Sequence, residues 1–131
     1  MKTIEDLNII YLEDNSIELE GFKFYGSPWS PQFFNWSFMK SEHELEKIFR
    51  KIDYDTNFLI THSPPYSILD KTKNKKHVGS KSLLETIKDL PNLKYSTFGH
   101  IHESSGQLNR FGIDFFNSAV MIDLKPKIIN I

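Results

Sequence analysis

The chain contains no cysteine. Disulfides and thiolate metal sites are excluded, so any bound metal must draw its ligands from His, Asp, Glu or Asn. A surplus of one charge is also lacking. With 16 Lys and Arg against 17 Asp and Glu, the formal net charge is −1, and no overall field steers the chain toward nucleic acid or a membrane surface. No apolar run approaches the roughly 18 residues of a membrane span, and the N-terminus has no signal-peptide core. A cytoplasmic setting is the default expectation.

What is present suits one globular domain over residues 1–131. Apolar residues make up 39% and aromatic residues 14%, and a chain of this length buries roughly two thirds of its unfolded surface. The 11 Phe residues are a heavy load for so short a chain. No internal repeat or linker divides it.

Local patterns predict a strand–helix–strand order through the middle. Ile9 to Leu12 reads as a short buried strand. Ile17 to Leu19 and Phe22 to Phe24 alternate about Glu20-Gly21, where Gly supplies the positive φ of a tight hairpin. The Pro- and aromatic-rich stretch from Ser27 to Trp36 reads as a loop. Ser41 and Glu44 form a capping-box pattern ahead of Leu45, Ile48, Phe49 and Ile52, which recur at helical spacing. Phe58 to Thr61 is a continuous apolar run, as in interior strands covered on both faces, and Pro64 and Pro65 end it. A lysine-rich loop covers Lys71 to Lys76. A second helix starts at Ser80, buries Leu83, Leu84, Ile87 and Leu90, and stops before Pro91. Tyr95 to Phe98, Gly112 to Phe116 and Lys127 to Ile131 read as further strands. The whole is an α/β layer with hairpin strands at its margins.

The histidines carry the chemistry. His62 falls at the C-terminal end of one strand, and His100 and His102 at the end of another, the edge where α/β sheets hold ligands. In extended backbone, residues two apart point to one side, so His100 and His102 can present both rings to one site. Gly99 removes a side chain beside them and lets a ligand approach. Imidazole suits zinc, manganese and iron. Spacing alone leaves ordinary surface histidines as the alternative. His43, early in a helix, and His77, in the lysine-rich loop, read as solvent-exposed.

The surrounding residues carry a resemblance. Thr61-His62-Ser63-Pro64-Pro65 resembles the Thr-His-x-Pro-Pro element of calcineurin-like metallophosphoesterases, and Phe98-Gly99-His100-Ile101-His102-Glu103 is similar to their closing Gly-His-x-His motif. Phe24 to Trp29, Phe34 to Phe38, His77-Val78-Gly79 and Phe116 to Ala119 look like a compact single-domain phosphodiesterase subgroup. The match runs in order along nearly the whole chain.

The resemblance implies a fold and a site. The fold is the four-layer α/β/β/α sandwich, of which this chain is expected to form the C-terminal half. His62 and His100 would bind one divalent metal (Mn, Zn or Fe) of a two-metal centre, and His102 the other. The family's Asp-x-His, Gly-Asp-x-x-Asp and Gly-Asn-His-Asp/Glu motifs, which supply the remaining ligands and a catalytic His, are absent from this sequence. Glu103 and Asp70, acidic residues near the histidines in sequence, read as solvated surface, with substitute metal ligands as the alternative. The Lys71–Lys76 loop reads as a mobile charged loop, with overhang of a phosphate substrate as the alternative. Trp29, Phe33, Phe34 and Trp36 are either a base-stacking wall or core packing.

Three functions follow. The chain could supply one half of a binuclear phosphodiesterase or phosphatase completed by a separate N-terminal-half polypeptide. It could be an inactive remnant that serves as a binding or oligomerisation module. It could be a self-sufficient mononuclear zinc hydrolase using His62, His100 and His102. In the family, the second sheet covers one face of this half's sheet. A broad apolar face is therefore expected, covered in a homo-oligomer or by the complementary chain.

Overall fold

The computed structural model describes residues 7–32, 37–119 and 128–130. Its centre is a six-stranded sheet flanked on one face by two helices. Strands β1 (Asn15–Leu19) and β2 (Phe22–Ser27) form the expected hairpin. Glu20 at φ 54° and Gly21 at φ 80° make the turn, placing Leu19 opposite Phe22. Two positive-φ residues in a two-residue loop match the right-handed twist of the flanking strands.

The stretch after β2 departs from the expected loop. A minimal pair, β3 (Ser30–Pro31) with β4 (Met39–Lys40), closes parallel across it. Pro31 is compatible because a two-residue edge strand needs few amide donors. Phe33, Phe34 and Trp36, read as either a base-stacking wall or core packing, lie outside the described residues, while Trp29 packs on Phe38 at 5.4 Å between ring centroids.

Helix α1 (Glu42–Phe49) begins with the expected capping box. The Ser41 side chain accepts from the Glu44 amide, and the Glu44 carboxylate accepts from the Ser41 amide. Helix α2 (Lys81–Lys88) is capped by Ser80, whose hydroxyl accepts from the Leu83 amide. One carboxylate oxygen of Glu42 accepts from the Ser80 hydroxyl and from the amide and hydroxyl of Ser82, tying the two helices together.

β5 (Phe58–Thr61) and β6 (Tyr95–Phe98) run parallel in the middle of the sheet. β7 (Gly106–Arg110) and β8 (Ile113–Asn117) form a second hairpin at the far margin. The spatial order is β1-β2-β5-β6-β8-β7, with parallel pairing from β2 to β8. β7 was not read from the sequence. Only Leu108 among its five residues is apolar, so this edge strand has no period-two signal.

One expected strand is absent among the described residues. Ile9 to Leu12 is irregular, and Ile9, Ile10 and Tyr11 are all more than half exposed. Apolar composition alone does not make a strand, and this segment pairs with no sheet edge among the described residues. The Lys127–Ile131 call lies largely outside the described residues, and Ile128 to Asn130 carry no strand.

The two faces of the sheet differ. Tyr25, Leu59, Phe98, Ile113 and Phe115 point toward the helices and pack on Leu45, Phe49, Leu83 and Ile87 in one core. On the opposite face Phe24 stacks on Phe58 at 5.0 Å and Phe58 on Tyr95 at 5.2 Å. Beside them Ile60, on a central strand, is 39% exposed. Neither helix covers this side. A mixed α/β layer whose second face is aromatic and covered by no helix is the form expected of half a metallophosphoesterase sandwich.

Candidate metal centre

β5 and β6 are neighbouring parallel strands, so their C-terminal ends emerge side by side. The Gly99 amide donates to the His62 carbonyl at 3.0 Å, continuing the ladder one step beyond the strands. That bond sets the residue after β5 beside the residue after β6. Across it His62 Nε2 and His100 Nδ1 come within 3.1 Å.

The backbone at His100 is not extended, contrary to the sequence expectation. His100 has φ 70°, and the Ile101 amide donates to the Gly99 carbonyl at 2.8 Å. This is a γ-turn of the strained, positive-φ kind. A non-glycine residue held there costs on the order of 1–3 kcal/mol, and such strain concentrates at functional sites. The turn redirects His100 toward His62. His102 then opens a short 3₁₀ turn, His102–Ser104, so the two histidines of the His-x-His motif are not delivered by a common strand face.

Beside Gly99 the nearest atom that an added Cβ would meet is the Ala119 amide nitrogen, at 3.9 Å. The space next to the histidines is therefore open, as expected for a ligand's approach.

Burial lowers the pKa of both His62 and His100 below the ordinary imidazole value, and at His100 the neighbouring His62 and His102 add to it. The rings are held neutral, the form that donates to a metal. The Nδ1 of His102 is buried and has no hydrogen-bond partner among the described residues. So has the hydroxyl of Ser63. Both residues line a cavity of about 380 Å³ with Pro31, Gln32, Thr72, Val78, His100 and Ile101.

Whether these side chains fit a metal can be read from the spacing. Imidazole–metal bonds are about 2.0–2.1 Å long, so two nitrogens on one ion stand roughly 3 Å apart, as His62 and His100 do. The unpartnered His102 nitrogen is a further donor at the same edge. Yet no three His, Asp or Glu side chains among the described residues stand close enough together to hold a metal. The residues fit as part of a ligand set and not as a closed centre.

Loops behind the site hold it in shape. Asn117, fully buried at the end of β8, donates through Nδ2 to the carbonyls of Ile101 and Leu69, and its Oδ1 accepts from the Ala119 amide. It thus fixes the residue between His100 and His102. Asp70, read as solvated surface, is instead 1% exposed. Its carboxylate accepts from the Ser67 and Gly79 amides and pairs with His77 Nδ1 at 2.6 Å. Distant amides converge on it, which local composition does not reveal. Glu103 is exposed as expected, and its carboxylate accepts from the Lys73 amide. His43 is exposed, and His77 is exposed but bound to Asp70.

The fold and the histidine pair at its parallel-strand edge define a metallophosphoesterase-like α/β protein. Comparison with known proteins gives the family. No family model matches the chain. Metallophosphoesterase domain-containing protein 1 of Homo sapiens is 37% identical over 116 residues, which are 86% of this chain and 35% of that protein. A UPF0046 protein of Caenorhabditis elegans is 42% identical over 100 residues, 76% of this chain and 25% of that protein. One solved crystal structure superposes with a TM-score of 0.67 at 22% identity, covering 88% of this chain and 48% of that one. At that identity the likeness shows the fold alone.

The chain belongs to the metallophosphoesterase family. It spans a quarter to about a third of the length of these curated relatives. Membership implies dependence on divalent metal. Among the described residues no helix is long and apolar enough to cross a membrane.

Proposed function

We propose that the chain supplies the histidine side of a binuclear metal centre that hydrolyses phosphate esters, and that the carboxylate side comes from a complementary polypeptide segment. The observation that carries this reading is the approach of His62 to His100, enforced by a strained turn, in an incomplete ligand set. His62 and His100 would hold one Mn, Zn or Fe ion and His102 the other. Such a metal pair, when bound, polarises the phosphate and supplies hydroxide near neutral pH. The chain's own part is to keep neutral imidazoles at a fixed spacing, with Asn117 holding Ile101 between two of them.

The sheet face that neither helix covers supports the same reading. Phe24, Phe58, Ile60 and Tyr95 form an apolar surface on central strands, and the solved structure of the same fold has about half its chain beyond the matched part. A second sheet carrying the absent Asp-x-His, Gly-Asp and Gly-Asn motifs would cover that face and complete the metal ligands at one stroke. The alternative, an inactive binding or oligomerisation module, is favoured by the lack of a three-ligand group among the described residues.

The test is hydrolysis of bis(p-nitrophenyl) phosphate with Mn²⁺ or Zn²⁺. The chain alone is expected to be inactive. Mixed with a polypeptide bearing the three absent motifs, it should turn over, and His62→Ala should abolish that activity. Robust activity of the chain alone, or none in the mixture, would count against complementation.

A further inference from the structure

The lysine-rich loop differs from the mobile segment its composition suggests. Its ends close on each other, with a backbone bridge between Lys71 and His77. Inside it the Thr72 amide donates to the Lys76 carbonyl at 3.0 Å and the Lys75 amide to the Thr72 carbonyl at 2.8 Å. It is also fastened to the turn that carries His102. The Lys73 amide donates to the Glu103 carboxylate at 3.0 Å, and the Ser104 hydroxyl donates to the Lys71 carbonyl at 2.6 Å. Thr72, in the middle of the loop, lines the same cavity as His100 and His102.

On this fixed loop Lys71, Lys73, Lys75 and Lys76 are all exposed, and none makes an ion pair among the described residues. Lys23, by contrast, stands within 4.0 Å of three carboxylates. Of the two acidic groups nearest the loop, one is turned away from it and one sits on it. Asp70 is buried against His77, and Glu103 faces the Lys73 amide. A protein of net charge −1 thus carries a rim of four exposed lysines on a loop that reaches the site cavity through Thr72, offset in part by the Glu103 carboxylate beside Lys73. Held in place, such a rim loses less entropy on binding an anion than free lysines would.

We propose that this loop is a subsite for a second phosphate, and that the substrate is a compact ester carrying at least one phosphate beyond the one cleaved. The proposal rests on the reading of the site as a phosphoesterase centre, but binding at the loop is measurable without metal or turnover. Orthophosphate has too little charge to span four ammonium groups. A linear oligophosphate can meet several at once, with a steep salt dependence.

The experiment is an amide NMR titration of the full chain with inorganic tripolyphosphate, and separately with orthophosphate, without metal. Tripolyphosphate should shift the amides of residues 71–76 and bind about tenfold or more tighter than orthophosphate, an advantage that shrinks as salt rises. The variant K71Q/K73Q/K75Q/K76Q should lose that advantage. The milder K73Q/K76Q should lose part of it, and K47Q/K51Q on α1 should lose none. His62→Ala should leave tripolyphosphate binding intact while removing metal binding, which separates this subsite from the metal centre. Equal affinity for the two anions, retention in the quadruple variant, or an equal loss in K47Q/K51Q would overturn the proposal.

Discussion

His62 Nε2 and His100 Nδ1 stand 3.1 Å apart although 38 residues separate them in the chain. Two parallel strands bring their backbones alongside, and the γ-turn at His100 closes the remaining gap. The pair is a product of tertiary structure, and its consequences can be measured.

Its pH behaviour follows from burial. Both pKa values lie below the ordinary value of 6.5, so below that pH the unfolded chain takes up more protons than the folded one. The sign is therefore fixed: this contribution to stability is fully present above pH 6.5 and declines as the solution is acidified toward the folded values. Histidine NMR titration should place both rings below the value of an unfolded-chain reference. Either ring titrating at or above it would contradict the burial argument.

Asn117→Ala removes a buried amide that satisfies two carbonyls and an N–H. Leaving such groups unpaired costs about 1–3 kcal/mol each, so thermal unfolding should fall by several degrees or more. The variant should also lose the fixed 3.1 Å pairing, seen as exchange-broadened His100 resonances.

Gly79 and Gly99 should respond in opposite ways to alanine. A Cβ at Gly79 would strike the Pro65 and Pro64 carbonyls, which are backbone atoms and cannot swing away. Gly79→Ala should therefore destabilise by about 1–3 kcal/mol, as overpacking does. Gly99→Ala meets only the Ala119 amide nitrogen, at an ordinary contact distance of 3.9 Å, and should fold with a near-native melting temperature. Chemical denaturation of the two variants side by side checks the contrast.

The partly exposed apolar face around Phe24, Phe58, Ile60 and Tyr95 should make the isolated chain associate. Ile60→Lys places a charge at its centre, on a central strand. Light scattering across a dilution series should show self-association that this substitution suppresses, together with reduced binding of a hydrophobic dye. A wild-type chain that stays monomeric and binds no dye would remove the case for a covering partner.

What the sequence disclosed was governed by range. The Ser41–Glu44 capping box, the Glu20-Gly21 hairpin and the apolar run Phe58 to Thr61 are local, and each stands where its residues place it. The polar edge strand Gly106–Arg110 has no local signal, because its stability comes from pairing with Ile113–Asn117. The apolar Ile9 to Leu12 gave a false signal: the segment lies irregular and more than half exposed at Ile9, Ile10 and Tyr11. At the site, the motifs singled out His62, His100 and His102, of which the structure brings His62 and His100 within 3.1 Å. The left-handed His100 and the burial of Asp70 were not legible. Both depend on groups brought from elsewhere: the His62 carbonyl that receives the Gly99 amide, and the Gly79 amide that turns onto Asp70.

The central claim is that the histidines form one side of a metal centre and not a whole one. Calorimetric titration of the purified chain with Zn²⁺ or Mn²⁺ tests it most directly. Weak binding, below two ions per chain and abolished by His100→Ala, is the result expected. Two tight sites per chain, or binding indifferent to His100→Ala, would contradict it.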